Sequence, residues 1–229
     1  MRLAFLGTGS AFSVERYNGA VVVDGRILLD GGAPLLPHMH RLGIDPAAIQ
    51  AVFLTHMHGD HILGLPPFVL YRAFNASDRP LPIVAPPAGE GPLEELFQLS
   101  WGRAWAEHRE QAQLVHVPAG ECGEVAGISY RAVRLDHGGL DCRGYRLEIG
   151  RRVLAYAGDT MATPQLDELV EGADVAITEA TAPGEVPAHT SWEEAAALAA
   201  RHPRTRFLFN HVYQGDPEGA AHDLEVIDV

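Results

Sequence analysis

The chain has 229 residues, 47% hydrophobic and 21% charged, with a net charge of −13 from 17 basic and 30 acidic side chains. That length and balance exclude a disordered chain and supply a sizeable core, and no run approaches the ~18 apolar residues of a membrane helix. Every basic residue is arginine, which excludes Schiff-base and P-loop lysine chemistry, and the acidic surplus makes nucleic acid an unexpected partner.

In chain order, short apolar runs predict strands over residues 3–6, 20–23, 27–30, 51–54, 81–85, 114–117, 129–135, 145–149, 153–157, 175–178 and 207–210. Asp24-Gly25 turns the first hairpin. Helices are predicted over 34–42, 62–74, 92–110, 164–170 and 192–202, the last opened by Ser191 with Glu194 three positions on. The alternation predicts α/β layers, and no Gly/Ser or charged linker divides residues 1–229, so one domain is expected. The opening MRLAFLGTGSAF reads as a strand and loop rather than a leader, which gives a cytoplasmic location as the expectation. Between 66 and 111, Phe68, Tyr71, Phe74, Phe97, Trp101 and Trp105 are expected to face a core, with a substrate wall or a subunit contact as alternatives.

Cys122 and Cys142 make no disulfide framework, whereas twelve histidines point to imidazole and carboxylate if a metal is present. The densest candidate is Thr55-His56-Met57-His58-Gly59-Asp60-His61, directly after the strand at 51–54. H-x-H-x-D-H arises by chance in such a composition roughly two times in a thousand. A loop at a strand end can aim His56, His58, Asp60 and His61 into one volume, where a helix would spread them. Three imidazoles and a carboxylate suit zinc, manganese or iron better than calcium.

With this motif the chain resembles the metallo-β-lactamase superfamily. Gly158-Asp159-Thr160, His137, His211 and Asp30 follow further predicted strands in the order of that family's motifs. The resemblance implies a four-layer αββα sandwich with a dinuclear metal site at one sheet edge. His56, His58 and His137 would hold one divalent cation, and Asp60, His61 and His211 the second. Asp159 would bridge them, and Asp30 would orient a ligand histidine. It also implies a hydroxide shared by the two ions as nucleophile, with Asp60 beside it to orient it and take its proton.

Thr178-Glu179-Ala180-Thr181 and Ala188-His189-Thr190-Ser191 are similar to the ribonuclease Z branch, as are Leu6-Gly7-Thr8-Gly9-Ser10-Ala11 and Gly144-Tyr145-Arg146-Leu147. In that branch His189 would protonate a leaving oxygen or steady a phosphate, and Glu179 would hold its imidazole. Two departures matter. Only 21 residues separate His137 from Asp159, where ribonuclease Z proper carries a tRNA-gripping arm. Val212-Tyr213-Gln214 replaces the usual Ser-x-Arg-Tyr-like segment after the last histidine. The expected activity is therefore a dinuclear phosphodiesterase acting on a small, anionic phosphodiester or cyclic phosphate, with Arg143 a candidate contact. A lactonase or thioesterase using the same site is the alternative, followed by tRNA 3′ processing and a non-catalytic metal scaffold. Relatives in this family are often homodimers, so the resemblance makes a homodimer one option, with the 68–105 region as its contact.

Overall fold

The computed structural model describes residues 1–76 and 78–229. Its layers follow from side-chain alternation along the strands. In β1 (Arg2–Gly7), Leu3 and Phe5 face one core while Ala4 and Leu6 face another. The same division recurs in β2 (Ala20–Val23), where Val21 and Val23 point one way and Ala20 and Val22 the other. Strands buried on both faces must be covered on both. This is why a continuous apolar run such as Ala20-Val21-Val22-Val23 is tolerated.

The remaining strands are β3 (Ile27–Leu29), β4 (Ala51–Phe53), β5 (Leu81–Ala85), β6 (Leu114–Pro118), β7 (Cys122–Val125), β8 (Ile128–Leu135), β9 (Cys142–Ile149), β10 (Arg152–Tyr156), β11 (Val175–Glu179), β12 (Arg206–Asn210) and β13 (Val226–Asp228). They form a seven-stranded sheet in the order β13-β1-β2-β3-β4-β5-β6 and a six-stranded sheet in the order β12-β11-β10-β9-β8-β7. The faces of the two sheets meet over Phe5, Phe53, Tyr145, Tyr156 and Ile177. On the outer face of the first sheet lie α1 (Leu35–Arg41), α3 (Leu65–Asn75), α4 (Glu90–Trp101) and α5 (Arg103–Ala112), with the single turn α2 (Gly59–Ile62) between α1 and α3 in the chain. On the outer face of the second lie α6 (Pro164–Val170) and α7 (Trp192–Arg201). The expected αββα sandwich is the observed fold.

Several element boundaries differ from expectation. The helix expected over 62–74 breaks between Ile62 and Leu65, because Gly64 packs against the Gly31 and Ala33 carbonyls with no space for a side chain. The helix expected over 92–110 breaks at Gly102, whose φ of +48° only glycine adopts readily. Strands β7 and β13 lack the apolar run that marks the others. β7 pairs antiparallel with β8, and β13 with β1. Of the aromatic residues between 66 and 111, Phe68, Phe97 and Trp105 are buried in the core and Phe74 is exposed. The capping box at Ser191 and Glu194 forms as read.

Strands β8, β10, β11 and β12 run in one direction, so their carboxyl ends open on the same edge of the second sheet. In the first sheet β3 and β4 are parallel and end together. Open α/β sheets gather functional side chains at such edges.

Candidate metal centre

The first-sheet contribution begins where β4 ends. The chain turns through Thr55 and His56, and His58 starts α2, which carries Asp60 and His61. This bend leaves no room around it. A Cβ on Gly32 would meet the Asp60 carbonyl oxygen at 1.6 Å, and one on Gly158 would meet Thr55 at 2.6 Å. The second sheet supplies His137 after β8, Asp159 after β10, Glu179 at the end of β11 and His211 after β12. Asp30, Ala188 and His211 all take positive φ, +53°, +65° and +52°. Left-handed backbone at non-glycine residues costs about 1–3 kcal/mol each and persists where the surroundings enforce it.

These residues converge. Donor atoms of His56, His58, His137 and Asp159 lie within 4.8 Å of one another, as do those of Asp60, His61, Asp159 and His211, and those of Glu179, His189 and His211. Asp159 is common to the first two groups. Its Oδ2 is 3.9 Å from His56 Nε2, 3.8 Å from His137 Nε2 and 3.1 Å from His211 Nε2, while Oδ1 is 3.2 Å from His61 Nε2. Asp60 Oδ2 lies 3.3 Å from His211 Nε2 and 3.5 Å from His61 Nε2. His58 presents Nδ1, 3.3 Å from His137 Nε2.

The outward nitrogens are held from behind. His61 Nδ1 lies 2.8 Å from Asp30 Oδ2, and His137 Nδ1 2.8 Å from the Ala188 carbonyl. His56 Nδ1 is 3.0 Å from Thr55 Oγ1, and His211 Nδ1 is 3.3 Å from Glu179 Oε2 and 3.4 Å from Thr181 Oγ1. Asp30 in turn accepts hydrogen bonds from the Thr55 amide, the Thr55 hydroxyl and the Tyr156 hydroxyl. Tyr145 donates across the sheets to the Leu54 carbonyl at 2.7 Å. Thr55, Tyr145, Thr181 and Ala188 sit inside the quoted motifs without a role read for them there, and Tyr156 lies outside every motif. Tyrosines in apolar strands are the one trace of them, since a buried hydroxyl requires a partner.

Whether this set fits metal can be tested on its own atoms. His56 Nε2, His61 Nε2 and Asp159 Oδ1 are buried and make no hydrogen bond, a costly arrangement unless a cation takes their lone pairs. The fields point the same way. Burial, together with the neighbouring His61, pushes His56 down to about 2, which keeps its lone pair free. Burial also acts against the charge on His211, but Asp159 and hydrogen bonds to Asp60 and Glu179 override it and hold His211 up at about 10. His61 is likewise raised against burial by Asp159 and Asp30. The carboxylates thus call for positive charge where the two nitrogen–oxygen sets meet, and the donor types suit divalent cations.

His189 completes the arrangement. Its Nδ1 lies 2.8 Å from Glu179 Oε2, and its ring stacks on His211 at 5.2 Å. Glu179 is fully buried and also accepts from the Thr160 and Thr190 amides and the Thr181 hydroxyl. His189 opens into a cavity of about 830 Å³ above the cluster, which His58, Asp60, His137, Asp159 and His211 also line. Arg143 does not line this cavity, and its guanidinium pairs with Asp141 at 2.8 Å. All nine site residues expected from sequence meet at one sheet edge. No helix among the described residues is long and apolar enough to cross a membrane.

The profile described as Beta-lactamase superfamily domain matches residues 25–212. The ribonuclease Z of Natronomonas pharaonis is 28% identical over 95% of this chain and 89% of its own length. Human tRNase Z, short form, superposes with a TM-score of 0.78 at 23% identity, covering 100% of this chain and 99% of that one. A diphosphatase from the PhnP family does so with a TM-score of 0.77 at 20% identity, over 100% and 97%. Relatives named for a ribonuclease lend no support to the expectation that nucleic acid is an improbable partner. The family match, the fold and the cluster at its sheet edge place this chain in the beta-lactamase superfamily, as a metal-dependent hydrolase of the metallo-β-lactamase fold.

Proposed function

We propose that the chain is a dinuclear-metal phosphodiesterase acting on a small phosphodiester or cyclic phosphate. His56, His58, His137 and Asp159 would hold one divalent cation and Asp60, His61, His211 and Asp159 the other, with zinc favoured by the histidine-rich set and manganese or iron compatible with it. When bound, such a pair activates water at neutral pH and neutralises charge on the attacked phosphate.

The chain's own residues supply the rest. Asp60 lines the cavity with its carboxylate held well below the usual range; burial opposes this, but hydrogen bonds from His211 and His61 prevail. It is therefore ionised and available as an acceptor that would orient a water. His189 reaches the cavity with a proton that Glu179 helps it retain, because the hydrogen bond to Glu179 outweighs the effect of burial. It would give that proton to the departing oxygen.

The observation that carries this reading is the 2.8 Å contact between His189 and the buried Glu179, beside the cluster. An alkoxide leaving from phosphorus needs a proton as the bond breaks, whereas the thiolate of a thioester does not. Relatives named ribonuclease Z support phosphodiester chemistry. They also favour a second reading, tRNA 3′ processing. Against it, β9 and β10 are joined by a tight turn at Gly150-Arg151, with no inserted arm. The test is a hydrolysis panel on metal-analysed protein, comparing bis(p-nitrophenyl) phosphate, cyclic nucleotides, precursor tRNA, lactones and thioesters. Turnover of the small phosphodiesters is expected. Turnover of lactones alone, or of precursor tRNA alone, would overturn the proposal.

A further inference from the structure

Apolar side chains surround the mouth of the metal centre. Phe12, Leu63, Leu140 and Tyr213 all line the cavity and are 81%, 61%, 39% and 43% exposed. Exposed large apolar residues scattered singly need no explanation, but a cluster at a cleft marks a binding surface. Val186 and Ala182 extend this rim on the side of His189.

The rim is also firmly built. Phe12 stands on the loop from Ser10 to Asn18, pinned at both ends. The Ser10 amide donates to the Val212 carbonyl, the Asn18 side chain to the Ser10 carbonyl, and the Gly9 amide to the Tyr17 carbonyl. Within the loop, Arg16 donates to Thr8 Oγ1 and the Ala221 carbonyl and pairs with Asp216 at 2.8 Å. Tyr213 is tied back through its amide to the Thr181 carbonyl. These anchors fix the backbone flanking Phe12 and at Tyr213 before a ligand arrives, which limits the ordering cost of binding.

Charge narrows the ligand further. Among the described residues no arginine lines the cavity, and the chain has no lysine. A polynucleotide presents a phosphate at every step and is held through cationic contacts along its backbone. Here the side chains along the approach are apolar and offer no such contact, while the proposed cation sets lie at the floor. Resting on the phosphodiesterase reading above, we infer that the substrate is a phosphodiester with a single charged phosphate whose ester substituent is a bulky apolar or aromatic group, seated against Phe12, Leu63, Leu140 and Tyr213.

The test measures calorimetric binding of diphenyl phosphate and dimethyl phosphate to the metal-loaded enzyme, alongside KM for aryl and methyl p-nitrophenyl phosphodiesters. The aryl ligand is expected to bind at least tenfold more tightly, the scale set by burying one ring in an apolar site. Phe12→Ala and Tyr213→Ala should each reduce that ratio several-fold, and Leu63→Ser, at an exposed position, should do the same. Equal affinity for the two diesters, a ratio unmoved by these variants, or a single-stranded oligonucleotide displacing diphenyl phosphate at lower concentration would overturn the inference. Failure of the phosphodiesterase reading would look different: neither p-nitrophenyl diester would turn over while lactones did.

Discussion

Glu179 Oε2 lies 2.8 Å from His189 Nδ1 and 3.3 Å from His211 Nδ1, so one buried carboxylate holds an imidazole that opens into the cavity and another that belongs to a proposed cation set. The two partners should separate on mutation. His189→Ala is expected to lower kcat by about 10²–10⁴ with metal content unchanged by elemental analysis. Glu179→Gln should lower turnover and weaken metal retention together. Loss of metal from the His189 variant would make that residue a ligand instead.

Asp30 reaches no substrate, yet it orients His61 and collects three further hydrogen bonds. Asp30→Asn should weaken metal binding by about 10–100-fold, the usual effect of losing a residue that orients a ligand histidine. Tyr156→Phe, which removes one donor to the same carboxylate, should have a smaller effect. Chelator competition followed by activity reads both.

Removing the metals should abolish turnover and also soften the fold, because carboxylates and imidazoles from both sheets are left facing one another. Each ion present at about a thousand times its dissociation constant contributes about 4 kcal/mol, so the pair contributes about 8 kcal/mol. For a chain of this size that corresponds to a fall of roughly 20 °C in Tm on chelation. Calorimetry after refilling with zinc, manganese or iron(II) should rank the metals by affinity, with zinc the most stabilising of the three.

Gly158 immediately precedes Asp159 and has a φ of +65°, with Thr55 2.6 Å from where a Cβ would sit. Gly158→Ala should push the Asp159 loop and the Thr55–His56 turn apart. The expected result is a large loss of metal affinity and activity, with far-UV circular dichroism close to that of the parent.

The two thiols should behave oppositely towards alkylating reagents. Cys122 is exposed; Cys142 is buried, and burial with nearby Asp159 pushes its thiol up to about 12. One equivalent of label in the native protein and two after denaturation is the expected outcome, with the first mapped to Cys122 by peptide analysis.

The site was far more legible in the sequence than its support. His56, His58, Asp60 and His61 fall within six residues, and each of His137, Asp159 and His211 follows an apolar run, so strand ends could be read directly. The groups behind them act through a backbone carbonyl at Ala188 or through single hydroxyls on Thr55, Tyr156 and Thr181, which have no spacing to detect. Strand β13 was invisible for a similar reason. Three residues pair with β1 because the chain passes there, and their own composition does not demand it. The break at Gly102 was visible as a glycine, but the helical pattern on either side masked it.

Each of the two proposed cation sets draws two residues from the segment before β7 and two from the segment after it: His56 and His58 with His137 and Asp159, and Asp60 and His61 with Asp159 and His211. Neither segment carries enough donors to complete either set alone. Hydrolytic power would therefore arise only once both halves have docked, so a nascent or partly folded chain would carry no reactive centre that could attack the cell's own esters.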